Sequence, residues 1–600
     1  MLLKELIRFS TQHRTLYCYM ILSIWIFLLI AGMYKYIGRN TNSLSYILNG
    51  NSHMYGGASI TATPSMDSNN FAKYKTRCTP LSHINRLDDG GILDGWKLQG
   101  VLMIIRHGDR GPMSHVRSVP HLDCGITGDN LVNKYRSFLY NTTSVSGSNH
   151  MYWNKVGPFH GFPLLPLTEK ECLLGQLTYK GIAQLLHVGE ILHQIYAHPL
   201  GLWIRQAATN QYGRSVANST PYSTLLNSDE VVVYTTRVRR TFQSALALLY
   251  TFLPTDKWLA LNVKESHSIA FCFTDCVCQK ADALRKELLK VQKRGLAKQP
   301  MVTQVMHWIG NQLLQHTPNG INDPNEVVDA MLTVMCHDAP WPCRRNVNGT
   351  ERMAVSTKAN DLDLNDVINI DQDDVLAGGV GGAGMVNGVD ALGAVNAVGD
   401  VNSNAIQLQT ANEEVSTSAN NEACIEASHV STMMSFSNWQ STREVHHAFY
   451  KRIGLMRAYG MIRHIVSYML RMISGDRTKF VLYSGHDWTL QYLTAALGIQ
   501  TDNTFIAYAA RLAFEVYKSE AHTDYYFRVV YDGHDVTQQI DFCEGGKSLR
   551  VTRDSRGNKA DLCPIENIIR FLHEDYFGPL NATNFKDACI MTANPKGNEF

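Results

Sequence analysis

The sequence predicts an α/β fold: a mainly parallel sheet flanked by helices, with an appended α-helical domain and an N-terminal transmembrane helix. Three observations carry this. The runs VLMII (101–105), VVVY (231–234) and FVLY (480–483) are short and rich in Val and Ile, as buried strands are. Helical spacing follows in RTFQSALALLYTFL from Arg240 and in WTLQYLTAALG after Asp487, and strands alternating with helices indicate a parallel sheet. Finally, the nineteen residues from Leu16 to Tyr34 carry no charge.

That uncharged run spans about 28 Å as a helix, close to the hydrocarbon core of a bilayer. It is long for a signal peptide and no clean A-x-A cleavage site follows, so it reads as an uncleaved anchor. The expected order is a cytoplasmic tail (1–14), an anchor (15–37), a polar stem (38–97) and a folded domain (98–600). Twelve of the thirteen cysteines lie beyond the anchor, an even number that suits disulfides in an oxidising lumen. The glycosylation sequons at Asn141, Asn218, Asn348 and Asn581 lie there too. Together they favour a type II membrane protein with its body in the lumen.

With 600 residues the chain has room for roughly two to four domain-sized units. Its formal net charge is only +2 and no block of like charges occurs, which argues against nucleic acid as a partner. Helical patterns between about 251 and 475, including the stretch Arg443–Ile473, form the appended α domain. Within it, residues from about 350 to 421 open acidic and continue as Gly-, Ala- and Val-rich repeats. Such small side chains fill no core, so this is a disordered insertion. Its formal G-x-G-x-x-G at Gly379, Gly381 and Gly384 follows no apolar strand and is not a nucleotide fingerprint. The cluster Cys272, Cys276 and Cys278 lacks the paired spacing of a structural zinc site and reads as disulfide chemistry.

The chemistry concentrates at the strand ends. Arg106-His107-Gly108-Asp109-Arg110-Gly111-Pro112 directly follows VLMII. Ligands of open α/β sheets sit beyond the carboxyl ends of strands, and two guanidinium forks around one imidazole suit a phosphate dianion. After VVVY, Arg240 falls at the start of a helix, where backbone N–H groups also favour an anion. After FVLY comes Ser484-Gly485-His486-Asp487 and another helix. A carboxylic acid beside such a cluster can protonate a leaving oxygen, and imidazole is a competent nucleophile. The residues therefore point to phosphomonoester hydrolysis. A second pair, His534-Asp535, follows Asp532-Gly533 between alternating runs and reads as a hairpin instead.

R-H-G-x-R-x-P followed much later by H-D resembles the histidine acid phosphatase family. GQLTYKG (175–181), RTFQSA (240–245) and FIAYAARLAFE (505–515) fall in the family's order, so the likeness covers most of 98–590 outside the insertion. It implies His107 as nucleophile and Asp487 as proton donor. Arg106, Arg110, Arg240 and His486 would hold the phosphate, with no metal and no cofactor. One position departs: the arginine that often begins the R-S-T-x-x-x-R-T stretch is Tyr234 here, which hints at an altered pocket. The anchor, the RHGDRGP form, FCFTDCVC and the CPIENIIRFLHEDYF ending resemble a Golgi branch acting on phosphorylated xylose. That implies removal of a 2-phosphate in the glycosaminoglycan–protein linkage region, with glycosyltransferases as Golgi neighbours. Two other readings stand beside it: a broad-specificity or inositol-polyphosphate acid phosphatase, and a catalytically inactive luminal binding protein.

Overall fold

In the computed structural model the described residues are 73–91, 95–144 (apart from 118, 120 and 127), 157–203, 229–273, 276–315, 320–345, 422–500, 505–553 and 557–591. The expected tail and anchor, most of the stem, the sequons Asn218 and Asn348, and the insertion at 350–421 lie outside them. Among the described residues no helix is long and apolar enough to cross a membrane.

The chain enters the sheet on β1 (Trp96–Arg106) and leaves its end through the loop that carries His107. Two helices follow, α1 (Asn130–Ser144) and α2 (Tyr179–Leu192). Next come β2 (Val231–Thr236), α3 (Arg239–Phe252) and β3 (Val263–Ser266). A helical stretch holds α4 (Gln279–Ala297), α5 (Pro300–Leu313) and α6 (Pro324–Cys336). A small ladder, β4 (Cys343–Arg345) with β5 (Glu422–Cys424), precedes α7 (Ala427–Val445) and α8 (Ala448–Ile473). The chain then returns to the sheet through β6 (Phe480–Gly485), α9 (Asp487–Leu497), β7 (Arg511–Ser519), β8 (Tyr525–Tyr531) and β9 (His534–Asp535). It ends with β10 (Leu549–Thr552) and β11 (Lys559–Pro564).

The sheet order is β10-β11-β8-β7-β1-β6-β2-β3, with β9 on β8. The expectation of a mainly parallel sheet is corrected: the sheet is mixed. Only β1/β6, β6/β2 and β2/β3 are parallel, whereas β7 runs antiparallel to β1 and every ladder beyond it is antiparallel. The reason lies after α9, where the chain returns on β7 and continues through tight reversals that carry no crossover helix. One reversal is Asp532-Gly533, both at positive φ (45° and 84°), which makes His534-Asp535 the hairpin end expected of it.

The three strands at 101–105, 231–234 and 480–483 form where their composition predicts, and each is buried on both faces. Val101, Met103, Ile105, Val233 and Leu482 pack against α2 and α3 through Ile182, Leu185, Phe242 and Leu246. The alternate residues Leu102, Ile104, Val232, Val481 and Tyr483 pack against α8 and α9 through Ile465, Met469, Leu490 and Leu493. A separate core joins α5, α6 and α7 through Met306, Ile309, Met331, Val334 and Met433. The continuous helix expected over Arg443–Ile473 is broken: α7 stops at Val445, and the His447 side chain caps α8 by accepting from Phe449 N–H.

All twelve cysteines beyond residue 37 are paired: Cys78–Cys336, Cys124–Cys172, Cys272–Cys276, Cys278–Cys589, Cys343–Cys424 and Cys543–Cys563. The Cys343–Cys424 bond is the one that flanks the low-complexity stretch. Its two Cα atoms stand 3.9 Å apart, opposite one another in the β4–β5 ladder. Chain that leaves and returns at a closed base adds little to the fold it leaves. Replacing residues 350–421 by a short Gly/Ser linker should therefore leave the thermal unfolding midpoint and the turnover rate unchanged; an insoluble or inactive product would show that the stretch packs on the domain.

Candidate active site

Parallel register assembles the site. Arg106 pairs with Gly485 and Thr235 with Ser484, so β1, β6 and β2 end side by side and release their following loops at one sheet edge. The His107 N–H donates to the Gly485 carbonyl at 3.0 Å, which places the two histidine loops in direct contact. The His107 and His486 ring centroids lie 5.6 Å apart at 76°. All six residues expected at the site come together there.

The nucleophile loop is gripped from outside. Gly108 N–H donates to Ser244 Oγ at 3.2 Å, and Asp109 N–H donates to Gln184 Oε1 at 2.7 Å. The first turn of α2 presses directly on it: a Cβ on Gly108 would lie 2.4 Å from the Gly181 carbonyl oxygen, and one on Gly181 would lie 2.3 Å from that of Asp109. Thr178 caps α2 by accepting from Gly181 N–H at 3.0 Å and donates to Asp109 Oδ2 at 2.6 Å. GQLTYKG thus supplies a cap and a glycine contact to the loop.

The imidazole of His107 is held in one tautomer. Its Nδ1 lies 2.8 Å from the Gly108 carbonyl oxygen, which can only accept, so Nδ1 carries the proton and Nε2 keeps its lone pair. Burial, and then Arg240, Arg106, His486 and Arg110, push the His107 pKa well below the ordinary histidine value. The ring is neutral at neutral pH. His486 accepts from Arg240 Nη2 on Nδ1 at 3.3 Å, so its Nε2–H donates to Thr236 Oγ1 at 3.0 Å. Burial, followed by Arg240, also lowers its pKa.

Each arginine has a distinct setting. Arg106 is buried, donates to the Ile506 carbonyl, pairs with Asp487 Oδ2 at 3.1 Å, and stacks its guanidinium 4.3 Å above the Tyr508 ring. Arg110 grips Asp329 with both nitrogens, Nη2 to Oδ1 at 2.9 Å and Nη1 to Oδ2 at 3.2 Å. Arg240, in the first turn of α3, contacts His486. Burial alone would raise the Asp487 carboxyl, but Arg106, with Arg110 beside it, overrides it and holds the pKa below the usual carboxylate value. Asp487 also accepts from Trp488 N–H at 2.8 Å, opening α9.

Sequence reasoning missed several members. Asp329 lies on α6, 219 residues from Arg110, in a stretch that looks like one polar residue on an amphipathic helix. His337 Nε2 lies 2.9 Å from Asp109 Oδ2, a buried contact. There burial would raise Asp109, but His337 and Thr178 keep its pKa down. Tyr234, the departure noted above, does not face this cluster. It lies in the core on the α8 side, with its hydroxyl 2.9 Å from that of Tyr468 and its ring stacked on Tyr483. His534 is exposed on its hairpin, and of the sequons Asn141 and Asn581 are both exposed.

A neutral imidazole with a free Nε2, ringed by guanidiniums and faced by a carboxyl group, is equipment for phosphoryl transfer through histidine. Residues 97–532 match the family model of the histidine phosphatase superfamily (branch 2), and the chain belongs to that family. It is a phosphomonoesterase. Among curated relatives, 2-phosphoxylose phosphatase 1 of Xenopus tropicalis is 26% identical over 501 residues, covering 82% of this chain and 77% of the relative. The Homo sapiens protein of the same name is 24% identical over 527 residues, covering 85% of each. The solved multiple inositol polyphosphate phosphatase of Bifidobacterium longum, in complex with inositol hexasulfate, is 12% identical, with 82% of this chain and 98% of that one covered at a TM-score of 0.41.

Two outcomes follow from the geometry. Gly181→Ala forces backbone apart at the nucleophile loop and should cost about 1–3 kcal/mol in thermal or denaturant unfolding, with a steep loss of turnover. Arg240→Ala removes the charge that, after burial, most depresses His107. The neutral fraction of His107 should then fall at a higher pH, so the acid limb of kcat/KM moves upward. A pH–rate profile with p-nitrophenyl phosphate checks this; a limb that stays in place or moves down contradicts it.

Proposed function

We propose that the enzyme removes the 2-phosphate from xylose in the glycosaminoglycan–protein linkage region, through a phosphohistidine on His107. The observation that carries the chemistry is the His107 imidazole itself: neutral, tautomerically fixed and surrounded by Arg106, Arg110 and Arg240. In this reading the three arginines and His486 bind the phosphate oxygens. His107 Nε2 attacks phosphorus as the P–O bond to the sugar breaks, and Asp487 gives its proton to the departing oxygen. Water, deprotonated by Asp487, then cleaves the P–N bond and restores His107.

The sugar is carried by the relatives' names, and the charge of the site agrees with it. Three guanidiniums face the carboxylates of Asp487 and Asp329, leaving a modest positive surplus suited to one phosphate. The setting we assign is the Golgi lumen, with the body anchored as a type II membrane protein by residues 15–37 and glycosyltransferases as neighbours. Six disulfides and two exposed sequons support an oxidising, glycosylating compartment.

The test is phosphate release by the full chain from a 2-phosphoxylose linkage tetrasaccharide, with p-nitrophenyl phosphate and inositol hexakisphosphate alongside. A strong preference for the tetrasaccharide is expected, and comparable rates on all three substrates would remove the xylose assignment. His107→Ala should lower turnover at least about a thousandfold and abolish acid-quench trapping of labelled phosphoenzyme. Labelling retained in that variant would reject His107 as the nucleophile.

A further inference from the structure

We propose that Asp329 sets the charge selectivity of the site, admitting a ligand with a single phosphate and disfavouring ligands with several. The inference rests on the phosphatase reading above and deepens it. Asp329 belongs to α6, in the helical stretch between β3 and β6, yet its carboxylate reaches the nucleophile loop. Both oxygens are engaged there: Oδ1 accepts from Arg110 Nη2, while Oδ2 accepts from Arg110 Nη1 and from Met113 N–H at 2.7 Å. A bidentate pair of this kind fixes the guanidinium plane and cancels much of its field.

The carboxylate is not hidden beneath the arginine. Its side chain is 18% exposed and that of Arg110 10%, so the pair can be reached from solvent. Its charge is felt at Tyr508, the ring on which Arg106 stacks. The charge balance explains the consequence. Arg106 is already faced by Asp487 and Arg110 by Asp329, and both histidines are neutral. An incoming phosphate dianion therefore meets three guanidiniums offset by two carboxylates, a surplus that one phosphate already consumes. A second or third phosphate on the same ligand, lying toward α6, meets Arg110 already neutralised by Asp329 instead of a cation with charge to spare. Like charges held in a partly desolvated site repel strongly enough to decide between ligands.

A purely structural role for Asp329, as the group that orients Arg110, makes a different prediction, and binding measurements separate the two. The probes are inorganic phosphate and inositol hexasulfate, titrated calorimetrically into the full chain and its Asp329→Asn and Asp329→Glu variants. Asp329→Asn should tighten hexasulfate about tenfold relative to phosphate at low salt. That gain should shrink as ionic strength rises, because it is a charge effect, and Asp329→Glu should keep the wild-type ratio. Equal changes for both probes, or Asp329→Glu shifting the ratio as far as Asp329→Asn, would reduce Asp329 to a positioning residue for Arg110. The wild type gives an independent check should Asp329→Asn fold poorly: hexasulfate bound far more tightly than phosphate at low salt overturns the proposal. Binding that follows these expectations without any turnover would refute the phosphatase reading while leaving the charge selectivity standing.

Discussion

Three guanidinium groups crowded around one buried imidazole repel each other, and the architecture around the site is organised by that repulsion. Each has its own counterpart. Asp487 faces Arg106 from the start of α9, Asp329 grips Arg110 from α6, and Arg240 leans on the lone pair of His486. Tyr508 adds a ring face beneath Arg106. Without these partners the cluster would be a concentration of like charge in poorly solvated surroundings, which costs far more than a surface array. With them, the cations are held in place before any ligand arrives, so little rearrangement accompanies binding.

This requirement also explains why the helices between β3 and β6 are tied so firmly to the sheet. Two acid–base contacts run from α6 and its end to the nucleophile loop: Asp329 to Arg110, and His337 to Asp109. The Cys78–Cys336 disulfide fixes the same end of α6, one residue before His337, to the segment preceding β1. Gln184 of α2 donates to the carbonyl of Cys78 at 2.7 Å while accepting from Asp109 N–H. The loop carrying His107 is therefore clamped from α2, α3 and α6 at once. An imidazole held to this degree has little conformational freedom left to lose in any reaction it takes part in.

The part of this arrangement that sits at the strand ends was legible in the sequence because strand-to-helix junctions write their residue pattern locally. VLMII, VVVY and FVLY announce buried strands, and parallel register alone brings Arg106, His486 and Arg240 to one edge. Strand direction was not legible in the same way. The antiparallel half begins at β7, whose residues gave no junction with a helix, and its hairpin signal at Asp532-Gly533 fixes only the β8–β9 reversal. The supporting acids and bases were hidden for another reason. Asp329 and His337 gain their meaning from partners more than two hundred residues away, and a single polar residue on an apolar helix looks like a solvated one until its partner is known. Tyr234 shows the converse: a position that the family likeness ties to the site packs among aromatic rings on the opposite side of its strand.

The same field that arms the nucleophile places the acid in the wrong protonation state, and this opposition gives the proposed reaction its order. Burial, together with Arg240, Arg106 and Arg110, keeps His107 neutral, the form that would attack. For Asp487 the arginines oppose burial and prevail, leaving the carboxylate ionised when it should donate a proton. A bound phosphate dianion would weaken the arginines' effect on both groups, with different consequences. By offsetting the arginines' charge it removes what held Asp487 down, and the burial that remains then favours the protonated carboxyl. His107 loses the same arginine contribution, but its burial still disfavours the imidazolium, so it stays a nucleophile. In the proposed reaction, one set of charges would thus withhold the acid until the phosphate group is in place.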